Sequence, residues 1–279
     1  MKLIRKFIRS VKKRLGRVTQ RVLNQLQPDR QVPDKQVPDK QVPDKQVPDQ
    51  EALEATCREL FHGHFSHSAA GEDRLVIAFL QTVFGFHDAS KIRYCDVGAS
   101  HPITLNNTFA LYERGASGVL VEPDPDGIAL LQKTRPRDIV LNVGAASDER
   151  RSAKLIRFTA RVFNTFSEHQ ANKILKSSKN WGPDQLQKVV DEVTVELVPM
   201  NEILGRYFKD GLHFLSIDAE GLDFQIIQSI DFSQFKPLIL CVEASHDQSE
   251  LFDMVLRPHG YELIARTPDN IIYKAKQKV

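Results

Sequence analysis

Five carboxylates and two histidines follow short apolar runs in this chain, and their spacing points to a ligand site. The run Ile92 to Val97 carries Asp96 and turns at Val97-Gly98-Ala99-Ser100-His101-Pro102. An acid leaving a strand and a glycine in the turn let backbone approach a ligand closely. The turn is not a dinucleotide fingerprint, because G-x-G-x-x-G would need glycines at 100 and 103, where Ser100 and Ile103 stand. The run Gly118 to Glu122 ends Val121-Glu122-Pro123-Asp124, which places Glu122 to accept hydrogen bonds from both hydroxyls of a ribose. Asp124 and Asp126 suit the start of the next helix instead. Ser216-Ile217-Asp218-Ala219-Glu220-Gly221 and Cys241-Val242-Glu243-Ala244-Ser245-His246 add Asp218, Glu220, Glu243 and His246. Acids after four strands are more than solubility requires. Grouped carboxylates raise one another's pKa, which suits a general base, or they bind a cation.

The elements that must position these residues alternate. Helix signals at about 51 to 62 and 72 to 85 precede the strand Ile92 to Val97. A helix at Leu105 to Arg114, strand Gly118 to Glu122, helix Pro125 to Lys133 and strand Ile139 to Val143 follow. After an irregular middle come strand Phe214 to Asp218, helix Leu222 to Ile230, strand Leu238 to Glu243 and helix Gln248 to Leu256. Short strands at Tyr261 to Ala265 and Ile271 to Lys274 close the chain as an antiparallel pair. Strands alternating with helices give an α/β fold with a parallel sheet covered on both faces, and ligands bind at the carboxyl ends of its strands. Asn180-Trp181-Gly182-Pro183, in the irregular middle, reads either as an acceptor wall or as an exposed anchoring loop.

The chain has 279 residues, three cysteines and no apolar run near the roughly 20 residues that span a bilayer. Cys57, Cys95 and Cys241 form no disulfide framework, so a reducing cytoplasm is expected. Residues 1 to 27 hold nine Lys and Arg and no acid, while the remainder carries a net charge of −7. Ile4, Ile8, Val11, Leu15, Val18 and Val22 recur at helical spacing, which predicts a basic amphipathic helix over 1–27. An anionic membrane surface at the inner face suits it best, with a partner helix or a nucleic acid as the other readings. Four Q-V-P-D-K/Q pentapeptides follow, and residues 28–50 read as a spacer of at most about 60 Å. Residues 51–279 then form the globular domain. Its acidic balance argues against a polyanion such as nucleic acid as its partner.

From about residue 66 to 274 the sequence resembles the FkbM-type S-adenosylmethionine-dependent methyltransferases. The carriers are Gly71-Glu72-Asp73, Asp96-Val-Gly-Ala, His101-Pro102 with Asn107-Thr108, and Tyr112 to Gly115. Val121-Glu122-Pro123, Arg135-Pro136-Arg137-Asp138, Asn164-Thr165-Phe166-Ser167, Ile217-Asp218-Ala-Glu-Gly221 and Val242-Glu243 complete the set. The resemblance implies a Rossmann-like class I methyltransferase fold, a seven-stranded, mostly parallel sheet with helices on both faces. It implies donor contacts by Asp96, Gly98, Ala99, Glu122, Pro123 and Asp218, with Gly144 and Ala145 near the adenine. It also implies O-methylation of a hydroxyl on a sugar, glycan or glycolipid such as lipopolysaccharide.

For deprotonating such a hydroxyl the candidates are His101, Asp218 and Glu243. For His101 the competing role is holding a turn, and for Asp218 it is capping the helix near Gly221. A divalent cation bridging Asp218 and Glu243 is the alternative to a base. Asn107, Tyr112, Asn164, Phe166, Glu220 and His246 are the expected acceptor contacts, the aromatic faces packing on sugar C–H surfaces. Two other functions compete: a nicotinamide-dependent sugar dehydrogenase or epimerase, which the missing glycines disfavour, and a non-catalytic membrane-tethered binding module.

Overall fold

The computed structural model describes residues 66–181, 185–244 and 248–277. The expected basic helix at 1–27, the linker at 28–50, the helix at 51–62 and His246 lie outside the described residues. The chain enters through α1 (Glu72–Thr82), then β1 (Arg93–Val97), α2 (Phe109–Glu113), β2 (Ser117–Val121), α3 (Pro125–Thr134) and β3 (Ile139–Leu141). An insertion follows, with β4 (Gly144–Ala146), β5 (Ser152–Phe158), α4 (Glu168–Ser178) and β6 (Val189–Pro199). Alternation resumes with α5 (Met200–Tyr207), β7 (Phe214–Ile217), α6 (Asp223–Ser229) and β8 (Ile239–Glu243), and ends with α7 (Ser249–Leu256), β9 (Tyr261–Arg266) and β10 (Asn270–Ala275).

Seven strands form the main sheet in the order β3-β2-β1-β7-β8-β10-β9. The pairs among β3, β2, β1, β7 and β8 are parallel, and β10 runs antiparallel to both its neighbours. The sheet is buried on both faces because its strands are apolar on both. Tyr94, Leu120, Phe214 and Cys241 face Val76, Ile77 and Leu80 of α1 and Ala110 and Leu111 of α2. Cys95, Val119, Leu215 and Val242 face Ile203 and Leu204 of α5, Ile226 and Ile227 of α6, and Phe252 and Leu256 of α7. Burying each large aliphatic side chain contributes about 1.5–3 kcal/mol. Among the described residues no helix is long and apolar enough to cross a membrane.

Two differences from the sequence reading have local causes. The helix expected from Leu105 begins only at Phe109, since Leu105 has a φ of 54°. Asn106 Oδ1 accepts from the Thr108 and Phe109 amides at 3.0 and 2.8 Å, capping the shorter helix. The irregular middle is ordered: β4, β6 and β5 form a second sheet, β4–β6 parallel and β5–β6 antiparallel. Its signal in the sequence is the alternation Val193, Val195, Leu197, with Ser167 Oγ accepting from the Gln170 amide (3.2 Å) to start α4.

Candidate functional site

Strand register brings the rim residues together. Val97 pairs with both Val121 and Ile217, and Ile217 pairs with Val242. The residues one step on, Glu122, Gly98, Asp218 and Glu243, therefore stand in a row across four strands about 4.8 Å apart. Close approach is built in at Gly98. Its φ is +81°, its amide donates to Val121 O (2.9 Å), and a Cβ there would lie 1.8 Å from the Asp218 carbonyl oxygen. Ala99 is buried beside it, its amide donating to Val121 O at 3.3 Å.

Glu122 is buried, and its two oxygens are held separately. Oε2 accepts from the Ser100 amide at 2.7 Å and Oε1 from the Asp124 amide at 2.8 Å. Burial pushes its pKa up, opposed by these two amides and by the nearby Arg161 charge. Each oxygen keeps a lone pair for one further donor. Pro123 contributes backbone: its carbonyl and that of Glu122 accept from Asn142 Nδ2 at 3.2 and 3.0 Å.

Asp218, Asp223 and Glu243 present carboxylate oxygens within 4.8 Å of one another. Asp218 and Glu243 are half-buried and hydrogen-bonded to each other. Burial, then the charge of Asp223, raise Asp218 to about 7, while the bond from Glu243 pulls the other way. Glu243 is pushed well above the carboxylate range by burial and by the charges of Asp218 and Glu220, so it holds the proton and Asp218 accepts it. Glu220, raised by burial and by Asp218, sits at a φ of 50° with its carbonyl accepting from Thr165 Oγ1 (2.9 Å). The loop is secured by Asp223, at the start of α6. Its oxygens accept from the Ala219 and Gly221 amides at 2.6 and 3.0 Å, and burial raises it to about 6. Asp223 does the holding that capping by Asp218 would have done, which leaves the Asp218 carboxylate turned to Glu243.

Several expected contacts have other partners. Asp96 is engaged beneath the turn: its Oδ2 accepts from Thr108 Oγ1 (2.7 Å) and Asn106 Nδ2 (3.1 Å). Both donors are held in turn by the fully buried Arg135, whose guanidinium also reaches Tyr94 OH (2.8 Å) and Asp138 (2.7 Å). Asp96 thus supports the loop from inside. His101 Nδ1 accepts from the Ile103 and Thr104 amides at 3.2 and 2.9 Å, so the lone pair a base needs is occupied. Burial and the Arg161 charge also lower its pKa, and the ring braces the turn. Tyr112 is buried under Arg137, whose guanidinium lies 3.9 Å from the ring centroid. Asn164 binds Asp124 Oδ2 (3.0 Å) and the Phe158 amide (2.8 Å), which is a scaffolding role. Phe166 packs on Gly144, where a Cβ would meet its ring at 2.8 Å, and Gly144 and Ala145 are buried in β4. Asn107 does reach the site's strands, donating to Ser216 Oγ (3.2 Å) and Cys241 Sγ (3.7 Å).

Other buried residues hold the site's neighbours, Asp124 from the helix start expected for it. Buried Asp124 caps α3 through the Asp126 amide (3.1 Å) and accepts from Arg161 Nε (2.7 Å), tying the insertion to the main sheet beside Glu122. Arg135 enters the sequence reading only within the Arg135-Pro136-Arg137-Asp138 motif, and Asp223 not at all. The Gly71-Glu72-Asp73 motif is likewise structural. Buried Glu72 accepts from Thr267 Oγ1 (2.5 Å) and Asn270 Nδ2 (3.1 Å), and Asp73 from Ser66 Oγ (2.7 Å) and the His67 amide (2.8 Å).

Comparison with known proteins follows this geometry. No curated protein matches the sequence. Among solved structures, a precorrin-6y C5,15-methyltransferase from Geobacter metallireducens aligns at a TM-score of 0.40 with 10% identity, covering 74% of this chain and 86% of its own. A magnesium protoporphyrin IX methyltransferase from Synechocystis, with bound SAM, aligns at 0.38 with 7% identity over 74% and 80%. A TehB-like SAM-dependent methyltransferase from Corynebacterium glutamicum aligns at 0.35 with 13% identity over 81% and 97%. A family model described as the methyltransferase FkbM domain matches residues 96–263. That span runs from the first rim acid to the penultimate strand and takes in more than half of the chain, which therefore belongs to the FkbM methyltransferase family.

Proposed function

We propose that this methyltransferase, with S-adenosylmethionine as donor, methylates a hydroxyl of a sugar, glycan or glycolipid at the cytoplasmic membrane surface. The observation that carries the acceptor chemistry is the carboxyl pair Asp218–Glu243, with Asp218 at about 7, beside a turn that brings backbone close at Gly98. Transfer to a hydroxyl needs a base near neutrality, whereas transfer to an already nucleophilic nitrogen or carbanion does not.

The residues present fit the donor. Glu122 offers one lone pair on each oxygen to two vicinal ribose hydroxyls, and the single-glycine turn leaves backbone at Gly98 and Ala99 for its methionine end. S-adenosylmethionine supplies an electrophilic methyl group on a sulfonium. The chain's own part is alignment and proton removal: Asp218 takes the hydroxyl proton while Glu243 hydrogen-bonds to it, and Asn107 and Glu220 border the place the acceptor must occupy. The basic segment 1–27 would keep the enzyme at an anionic surface, the repeats giving it reach.

Two measurements test this reading. Calorimetry should show binding of S-adenosylhomocysteine, and Glu122→Gln, which turns an NH₂ group toward a backbone amide, should weaken it by about tenfold or more. Mass spectrometry of cell-envelope glycans with and without the protein should show a loss of one CH₂ per modified site. Donor binding with unchanged glycans would overturn the acceptor assignment.

A further inference from the structure

The free end of the insertion carries an apolar patch that the transfer chemistry does not use. Val162, Leu186, Val189 and Val190 are 40%, 39%, 42% and 62% exposed. They belong to segments held side by side. The Thr159 amide donates to Lys188 O at 3.0 Å, Ala160 to Gln187 Oε1 at 3.0 Å, and Phe158 pairs with Val189. The ladder slips between Arg157 and Phe158, since Arg157 pairs with Asp191 and leaves Val190 without a partner. Such a bulge re-aims side chains, here leaving two consecutive valines outward where plain alternation would expose one. Phe163, next to Val162, packs on Trp181 with ring centroids 5.3 Å apart.

Charge around the patch is mixed, with lysines in excess of the two half-exposed acids that follow Val190. The strand's acids Asp191 and Glu192 are paired with Arg157 (3.5 Å) and Lys154 (3.3 Å). The exposed Lys176, Lys179 and Lys188 have no ion-pair partner among the described residues. Protruding aliphatic side chains, an indole and unpaired lysines together match an anionic bilayer, where the apolar groups enter the acyl boundary and the ammonium groups meet the head groups. The patch is also fixed relative to the rim. Arg161, adjacent to Val162, is bonded to Asp124, two residues beyond Glu122.

We propose that Val162, Leu186, Val189 and Val190, with Trp181 and Lys176, Lys179 and Lys188, form a second membrane contact that seats the insertion on anionic lipid. It rests on the proposed action at a membrane surface. It adds that the folded domain touches the bilayer directly, presenting its rim to acceptors held in the head-group layer.

Trp181 is the chain's single tryptophan, so its fluorescence reports on this patch alone. The full chain is titrated with phosphatidylglycerol-containing vesicles, some with brominated acyl chains, while flotation measures binding. Expected results are a blue shift, quenching by the brominated lipid, and a loss of both in pure phosphatidylcholine. Val190→Asp with Val189→Asp should raise the lipid concentration needed for the shift by about a hundredfold, each buried valine contributing about tenfold. Its thermal midpoint should match the wild type. Flotation with unchanged Trp181 emission would mean that the N-terminal segment binds alone, and would overturn the proposal. A concentration-dependent blue shift without vesicles would put a second copy of the chain on the patch, with the same consequence. Neither readout depends on methyl transfer, so failure here leaves the acceptor assignment standing, and unchanged glycans leave the lipid contact standing.

Discussion

If Asp218 is the base, the rate and the stability of this enzyme respond to pH in opposite directions. Asp218 works when deprotonated, and its pKa is about 7. At pH 5, two units below, about 1% of it is free, so kcat/KM should lie roughly a hundredfold under its alkaline plateau, with unit slope between. Stability runs the other way. A carboxyl raised in the fold adds stability fully below its unfolded value and loses it as pH rises through its folded value. Asp223 at about 6, Asp218 at about 7, and Glu220 and Glu243 above the carboxylate range all have that sign. The thermal midpoint should therefore fall between pH 5 and pH 8 while activity climbs. Asp218→Asn should reduce kcat by about 10²–10⁴-fold and abolish the pH limb. Glu243→Gln keeps a hydrogen-bond donor against Asp218 and should leave the limb near pH 7, whereas Glu243→Leu removes it and should move the limb upward. The assay is release of S-adenosylhomocysteine with an envelope glycolipid extract as acceptor, read from pH 5 to 9 beside thermal melts. A wild-type rate flat across that range, or a wild-type limb in Asp218→Asn, would refute the assignment.

Three further outcomes follow from the same contacts. Gly98→Ala would place a methyl group 1.8 Å from the Asp218 carbonyl oxygen at a φ of +81°, so it should cost more than about 2 kcal/mol in denaturant unfolding and abolish S-adenosylhomocysteine binding. Arg135→Met leaves the buried Asp138 and Asp96 without their cation and should cost about 3–5 kcal/mol, measured by urea titration. Excess chelator should leave the initial rate unchanged. Both Asp223 oxygens accept backbone amides and Asp218 accepts the Glu243 proton, so these carboxylates already have donors within the protein; activity lost to chelator and restored by magnesium would contradict this.

What could be read from sequence was whatever strand periodicity and register dictate. An acid that ends an apolar strand must reach the carboxyl rim, and parallel register must align its neighbours, so Glu122, Gly98, Asp218 and Glu243 were legible before any coordinates. Three of the expected site residues have partners that sequence does not reveal. His101, Tyr112 and Asn164 are polar or aromatic residues in loops and short helices near the rim, and sequence gives their nearness but not the competing partner. Each has a backbone or cationic partner within the protein: the Ile103 and Thr104 amides, Arg137, and Asp124 with the Phe158 amide. His101 is exposed and simply takes the amides of its own turn, while for the more buried Tyr112 and Asn164 an unmade contact would cost roughly 1–3 kcal/mol. Polar residues at a rim are therefore as often scaffold as site. The Asp218–Glu243 pair differs because no cation among the described residues pairs with it: its members answer burial by sharing a proton, and that leaves Asp218 able to exchange one near neutrality. Asp138, whose carboxylate is wholly buried, is locked by Arg135 and takes no part in the rim. Between Asp138 and Asp218 the difference is thus whether a guanidinium or a second carboxyl stands opposite the acid.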